Sequence, residues 1–342
     1  MEIAQWTARV GHRHGGGAQR SSSTSRADRG DDGHNARSAS TCDPVPRCQT
    51  PHVTSVVPDS VVVRPLAPAC GAEISGVDLR TASADELAVV QRAIADHGVV
   101  VVRDQSLTPT EQVAVTARFG PVLRVPYIQH LAEHPDVIAV LKEADERNIS
   151  TFGGTWRSDF SFLPEPPSLT LLHAVELPEV GGDTVWASQY AAYDTLSAAM
   201  QRLLDPLRAV QTGWPNGTRG PGPNAAVSRS VVMTRNDPSA DVEVAHPIVR
   251  VHPVTGRKAL FVNPVYTQRI EGMTDAESTP LLQFLFDHAV RAERCVRHRW
   301  RPGDLAIWDN RCLLHLAVND YDGSRRLLHR TTVAGEAPIG PG

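Results

Sequence analysis

Short apolar runs closed by glycine, proline and asparagine recur from Val137 towards the C-terminus, and they constrain the fold more than any other feature of this chain. Val137–Leu141, Ser168–Glu176, Thr184–Trp186, His246–His252, Ala259–Asn263, Arg297–Trp300, Leu305–Trp308 and Leu327–Val333 are too short for typical helices and rich in Val, Leu, Ile, Thr and Trp. Runs of that kind read as strands. Turn residues at Pro178, Gly181–Gly182 and Thr255–Gly256 separate them, as hairpin connections require. The segment from Thr155 into the Trp156 run is read as a further strand.

Two helices precede this region. Ser83 and Glu86 form a capping box ahead of Leu87, Val90 and Ile94, and Gly98 closes the helix in an αL cap. Thr108, Pro109 and Glu111 open a second helix that runs to Phe119 and stops at Gly120. Further helices are expected over Ala191–Leu204 and Thr279–Ala292. Val61–Val63, Gly71–Leu79 and Val99–Val102 add strands. The expected fold is mostly β with flanking helices, an α+β chain built on a jelly-roll core.

Residues 1–60 are a different material. Their Ser, Arg, Asp and Gly content has almost no apolar periodicity and cannot offset the entropy of ordering, so a disordered tail is expected there. His12 and His14 read as solvated tail rather than a metal site. The ordered domain is placed at 61–342, with 212–241, rich in Gly, Pro, Asn and Ser, as a long loop or lid. The formal net charge of -4 supplies no basic field, so nucleic acid is not an expected partner. No apolar run is long enough for a membrane span, and the N-terminus lacks the apolar core of a secretory signal. The five scattered cysteines suit reduced thiols and a cytoplasmic location. A homo-oligomer is compatible with all of this.

Chemistry is concentrated in Thr155–Phe162 and Trp308–His315. Together they resemble the halves of a non-haem iron site, which takes two imidazoles and one carboxylate on one face of the ion. Asp159 offers a carboxylate and His315 an imidazole. On a strand, the third donor would stand two residues before the aspartate. That position holds Arg157.

From about Val61 onward the chain resembles the taurine dioxygenase (TauD/TfdA-like) family of Fe(II)/2-oxoglutarate-dependent oxygenases. The cues are ordered along the domain: Gly71–Leu79, Val101–Gln105, Arg118–Gly120, Gly181–Thr184, His246–Pro247, His252–Pro253, Leu260–Asn263, Trp308–Arg311 and Arg325–Arg330. The resemblance implies a double-stranded β-helix that binds Fe(II), 2-oxoglutarate and O2. Its members couple decarboxylation of 2-oxoglutarate to succinate with oxidation of a small-molecule substrate. Carried over by position, Asp159 and His315 match metal ligands. Thr184 and Arg326 match the pair that holds the distal carboxylate of 2-oxoglutarate. Arg330 matches the guanidinium that meets the substrate's acidic group, and Phe160 and Tyr266 fall where pocket-lining side chains are expected. Taurine-specific members carry a histidine and a tyrosine after the Arg-Phe-Gly turn; Pro121–Tyr127 does not reproduce them, so a different small acid is expected.

Arg157 is the departure. Arginine keeps its protons and has no lone pair for a metal. A guanidinium about 4 Å from a dication is repelled by roughly 8 kcal/mol at an effective dielectric of about 20. Three outcomes follow. Arg157 swings away and leaves a two-ligand site; or it pairs with Asp159 in a metal-free pseudoenzyme that binds a small anion or a protein partner; or another side chain such as His173 completes the triad.

Overall fold

The computed structural model describes residues 61–220 and 229–342. The expectation for the tail, and residues 221–228 of the expected lid, lie outside the described residues. In chain order the elements are β1 (Val62–Pro65), β2 (Ala72–Ser75), α1 (Ala84–His97), β3 (Val99–Val102), α2 (Pro109–Ala117), β4 (Ile138–Lys142), β5 (Leu169–Glu176) and β6 (Thr184–Ser188). They continue with α3 (Gln189–Asp194), α4 (Ala198–Leu204), β7 (Arg208–Gln211), β8 (Val244–Pro247), β9 (Val249–Val251), β10 (Lys258–Leu260) and β11 (Thr267–Ile270). The last are α5 (Asp275–Ala289), β12 (Cys295–His298), β13 (Leu305–Asp309), β14 (Leu313–Ala317) and β15 (Arg326–Val333).

One sheet has seven strands in the order β1-β2-β3-β13-β5-β15-β4. Only β2 and β3 pair in parallel, and α1 makes the crossover between them. Three smaller sheets, β12-β6-β14, β11-β7-β8 and β10-β9, supply the rest. Strand alternation explains how the large sheet is buried on both faces. Val100 and Val102 of β3, with Leu171, Leu305 and Ile307, pack on Val90 and Ile94 of α1 and Val115 of α2. Val99 and Val101 turn the other way and join Leu172, Leu328 and Trp308 against Trp186 of β6 and Leu313 of β14. Each of the four valines is 1% exposed or less, a gain of about 1.5–3 kcal/mol per side chain. The second cluster is the interior of the jelly roll, and the site opens at its edge.

Both N-terminal capping boxes form. Glu86 Oε2 accepts from Ser83 N at 2.8 Å, and Glu111 Oε2 accepts from Thr108 N at 2.8 Å. Gly98 ends α1 with φ +74° and ψ -41°, a positive-φ cap outside the αL basin. The expected Ala191–Leu204 helix is broken into α3 and α4, because Ser197 caps a new start by accepting from Met200 N. The expected His246–His252 strand breaks at Ile248, whose amide turns to Leu207 O. Thr155–Phe162 is not a strand: Arg157 makes one isolated bridge and the chain then turns, with Phe160 at φ +46°. Strands β7, β11 and β14 were not expected. Within 212–241 the described residues hold a short 3-10 turn at Pro238–Asp241 and no strand. Among the described residues no helix is long and apolar enough to cross a membrane, and Cys70, Cys295 and Cys312 are free thiols.

Candidate active site

Strands β6, β13, β14 and β15 and the segment at Arg157 converge on one cavity, lined among others by Arg157, Thr184, Trp308, His315, Arg326 and Arg330. Alternation on the strands sends these side chains inward. His315 shares its face of β14 with Leu313, and Arg326 and Arg330 share theirs with Leu328. Thr184 lies on the β6 face that carries Trp186, and its hydroxyl accepts from Trp300 Nε1 at 3.0 Å.

Asp159 is the centre of the charge pattern and is 1% exposed. Its Oδ2 accepts from Thr170 Oγ1 at 2.9 Å and lies 3.2 Å from Arg330 Nη2. Its Oδ1 lies 3.4 Å from His315 Nε2 and 3.7 Å from Arg157 Nε. Burial alone would raise its pKa, but Arg330, His315 and Arg157 overcome that and hold it well below the usual carboxylate range. The carboxylate is aimed by a polar chain from β13. Trp308 Nε1 donates to Asn310 Oδ1 at 3.0 Å, Asn310 Nδ2 to Thr170 Oγ1 at 2.9 Å, and Thr170 to Asp159. Thr170 and Asn310 were not among the site residues expected from sequence. Asn310 sits in a quoted motif, whereas Thr170 carries no sequence signal beyond a β-favouring type.

His315 is 5% exposed, with its Nδ1 buried and unpartnered. Burial lowers its pKa first; Asp159 pulls it up, and Arg157 and Arg330 push it down again. Arg157 does not swing away. Its Nη1 donates to Thr155 O at 3.2 Å, its guanidinium lies 5.3 Å from the Phe152 ring centroid, and it lines the cavity. His173 does not complete a triad. It projects to the opposite face of β5 from Leu172, its Nε2 lies 3.0 Å from Gln105 O, and it lines a separate cavity near Asp104. Among the described residues, no third His, Cys, Asp or Glu groups with Asp159 and His315. The donor set therefore does not fit an iron facial triad: the third position is a guanidinium with no lone pair to give.

The same cavity is lined by a second buried cation on β15. Arg326 is 3% exposed, and its Nε and Nη2 are buried without a hydrogen-bond partner. Burial lowers its pKa, and the rings of Trp300 and Tyr321 flank it at 5.9 and 5.7 Å. Gly182 permits this placement, since a Cβ there would come within 2.9 Å of Arg326 Cδ. Phe160 and Tyr266 do not line the cavity. They belong to an apolar cluster behind it, with Phe162 4.9 Å from Tyr266 and the Phe160 ring 5.6 Å from the Arg330 guanidinium.

The jelly roll is that of the 2-oxoglutarate-dependent dioxygenases, the class of protein whose members this chain matches. Residues 63–332 match the family described as taurine catabolism dioxygenase TauD, TfdA family, and the chain belongs to it. The chain is 35% identical over 309 residues to the alpha-ketoglutarate-dependent dioxygenase cnsM of Penicillium expansum, covering 84% of this chain and 82% of that protein. It is 34% identical over 282 residues to the alpha-ketoglutarate-dependent sulfate ester dioxygenase of Pseudomonas putida, covering 81% and 91%. A taurine dioxygenase structure from Burkholderia xenovorans superposes with a TM-score of 0.69 at 35% identity, covering 82% of this chain and 93% of that one.

Proposed function

We propose that this chain is a 2-oxoglutarate-dependent dioxygenase that oxidises a small organic anion. The observation that carries the reading is Arg326: a buried guanidinium with two unpartnered nitrogens that lines the same cavity as Thr184. Burying an unpaired cation is costly unless a ligand completes it. A carboxylate fits its planar fork, and Thr184, whose oxygen already accepts from Trp300, keeps its own proton to donate. 2-Oxoglutarate, if bound, would give two electrons to O2 and take one of its oxygen atoms, leaving as succinate and CO2 while the other oxygen atom oxidises the substrate. Arg330, on the same face of β15, is assigned to the substrate's acidic group. The similarity to a sulfate ester dioxygenase supports a substrate with an acidic group of that kind.

A second reading, a metal-free binder of small anions, is favoured by Arg157 standing against Asp159. The two readings separate in one assay: succinate release from 2-oxoglutarate with anaerobically added Fe(II), on the unaltered chain and on Arg157→His side by side. Succinate from the unaltered chain supports the dioxygenase. Succinate from the histidine variant alone selects the binder built on a silenced oxygenase scaffold, and silence from both removes the dioxygenase reading.

A further inference from the structure

We infer that Arg157 acts as a tethered cation at the metal position, so that the cavity binds a five-carbon dicarboxylate between Arg326 and Arg157 without any metal. The inference rests on the assignment of Arg326 to one carboxylate of 2-oxoglutarate and on the metal-free reading of the site, and it extends the assignment to the other carboxylate.

Three guanidinium groups line the cavity, and two of them, Arg157 and Arg330, share the Asp159 carboxylate. Asp159 engages Arg157 and Arg330 together, with Oδ1 3.7 Å from Arg157 Nε and Oδ2 3.2 Å from Arg330 Nη2. Arg330 keeps Nε and Nη2 without hydrogen-bond partners, as Arg326 does. The lining therefore carries an excess of two positive charges, which a single dicarboxylate neutralises. Arg326 and Arg157 both line this cavity, so a ligand with a carboxylate at each end can meet a guanidinium with each.

Arg157 is also held in place. Nη1 donates to Thr155 O, the Phe152 ring lies beneath the guanidinium, and Gly153 leaves room where a Cβ would come within 2.9 Å of Nη2. The backbone at residue 157 is bonded to His315 in both directions. A side chain fixed this way is preorganised for a ligand and needs no rearrangement to meet one.

Recognition by a guanidinium differs in kind from recognition by a metal. A metal, if held there, would recognise the 2-oxo group as well as the carboxylate. Arg157 reads the carboxylate alone. Glutarate, which lacks the oxo group, should then bind almost as well as 2-oxoglutarate.

The test is isothermal titration of the chelator-treated chain with 2-oxoglutarate and with glutarate, repeated with Mn(II) added. Arg157→His and Arg326→Ala are titrated alongside. The expected result is that the unaltered chain binds both acids in chelator with affinities within about five-fold, unchanged by Mn(II). Arg157→His should lose at least about ten-fold in chelator, regain 2-oxoglutarate binding with Mn(II), and then discriminate against glutarate. Arg326→Ala should bind neither acid in either condition. If Arg157→His binds as tightly as the unaltered chain in chelator, the inference is overturned while the Arg326 assignment stands. If the unaltered chain binds 2-oxoglutarate only with Mn(II), the inference is likewise overturned. If Arg326→Ala binds normally, the underlying assignment falls, and this inference falls with it.

Discussion

Arg157 and His315 face each other across an isolated antiparallel bridge. Arg157 N donates to His315 O at 3.2 Å, and His315 N donates to Arg157 O at 2.9 Å. Partners in such a bridge project to the same side, so any side chain at 157 enters the cavity beside the imidazole.

A histidine at 157 should therefore complete the donor set without rebuilding the backbone. Arg157→His is expected to raise divalent-metal affinity roughly 100-fold or more, since relief of even about 3 kcal/mol of guanidinium–dication repulsion suffices. Mn(II) titration followed by electron paramagnetic resonance measures it. Equal affinity in the two chains would mean that residue 157 leaves the cavity when metal arrives.

Arg326 should trade stability for binding. Its buried Nε and Nη2 have no partner, so Arg326→Met, which keeps much of the volume, is expected to stabilise the fold by about 1–2 kcal/mol. Saturating 2-oxoglutarate at about 100 times its dissociation constant should add about 2.7 kcal/mol to the unaltered chain and nothing to the variant. Urea midpoints with and without the ligand decide both halves. A destabilised variant would mean that the rings of Trp300 and Tyr321 draw more from the guanidinium than burial costs it.

The parts of the fold governed by local rules were legible in the sequence. The Ser83 and Thr108 capping boxes and the all-valine β3 depend on residues within a few positions of one another. The cavity's cations were legible too, because β15 keeps one alternation from Arg326 to Arg330. The loop at Asp159 was not. It was read as a strand running on from Trp156, but it is shaped by distant partners. Ser158 Oγ donates to Asn310 O at 2.6 Å, and Ser161 Oγ donates to Gln211 Oε1 at 2.6 Å. Strand β14 was missed because the turn at Asp309–Cys312 is closed by the Asp309 side chain, which accepts from Arg311 N at 2.9 Å, rather than by glycine or proline. The role of Thr170 depends on a partner 140 residues away, Asn310, which no local pattern reveals.

His246 should give the protein a pH slope on the acid side of neutrality. Its Nε2 lies 2.9 Å from Leu163 O, just past the Asp159 loop, and burial lowers its pKa from 6.5 to about 4. A pKa lowered by folding means that stability is complete above 6.5 and is lost as pH falls towards 4, because only the unfolded chain takes the proton there. The loss is roughly 3 kcal/mol at most. His246→Gln, which can still donate to Leu163 O, should flatten the stability profile between pH 6.5 and 4. An unchanged slope would assign it to other groups.

Asp159 should stabilise the fold through its charge as well as serve the site. Its carboxylate is shared by Arg330, His315 and Arg157, and Thr170 donates to it. Asp159→Asn keeps an oxygen for Thr170 and removes only the charge, leaving two buried guanidinium groups uncompensated. The expected cost at pH 7 is about 3–5 kcal/mol, the usual result of breaking a buried pair from one side. Folding lowers the pKa of this group, so its contribution is complete above the unfolded value of about 3.9 and fades as pH falls below it. The gap in urea midpoint between the two chains should therefore be widest at pH 7, nearly unchanged at pH 5, and narrower at pH 3.5. A gap of constant size across that range would mean that shape and hydrogen bonding at residue 159, rather than its negative charge, hold the cavity together.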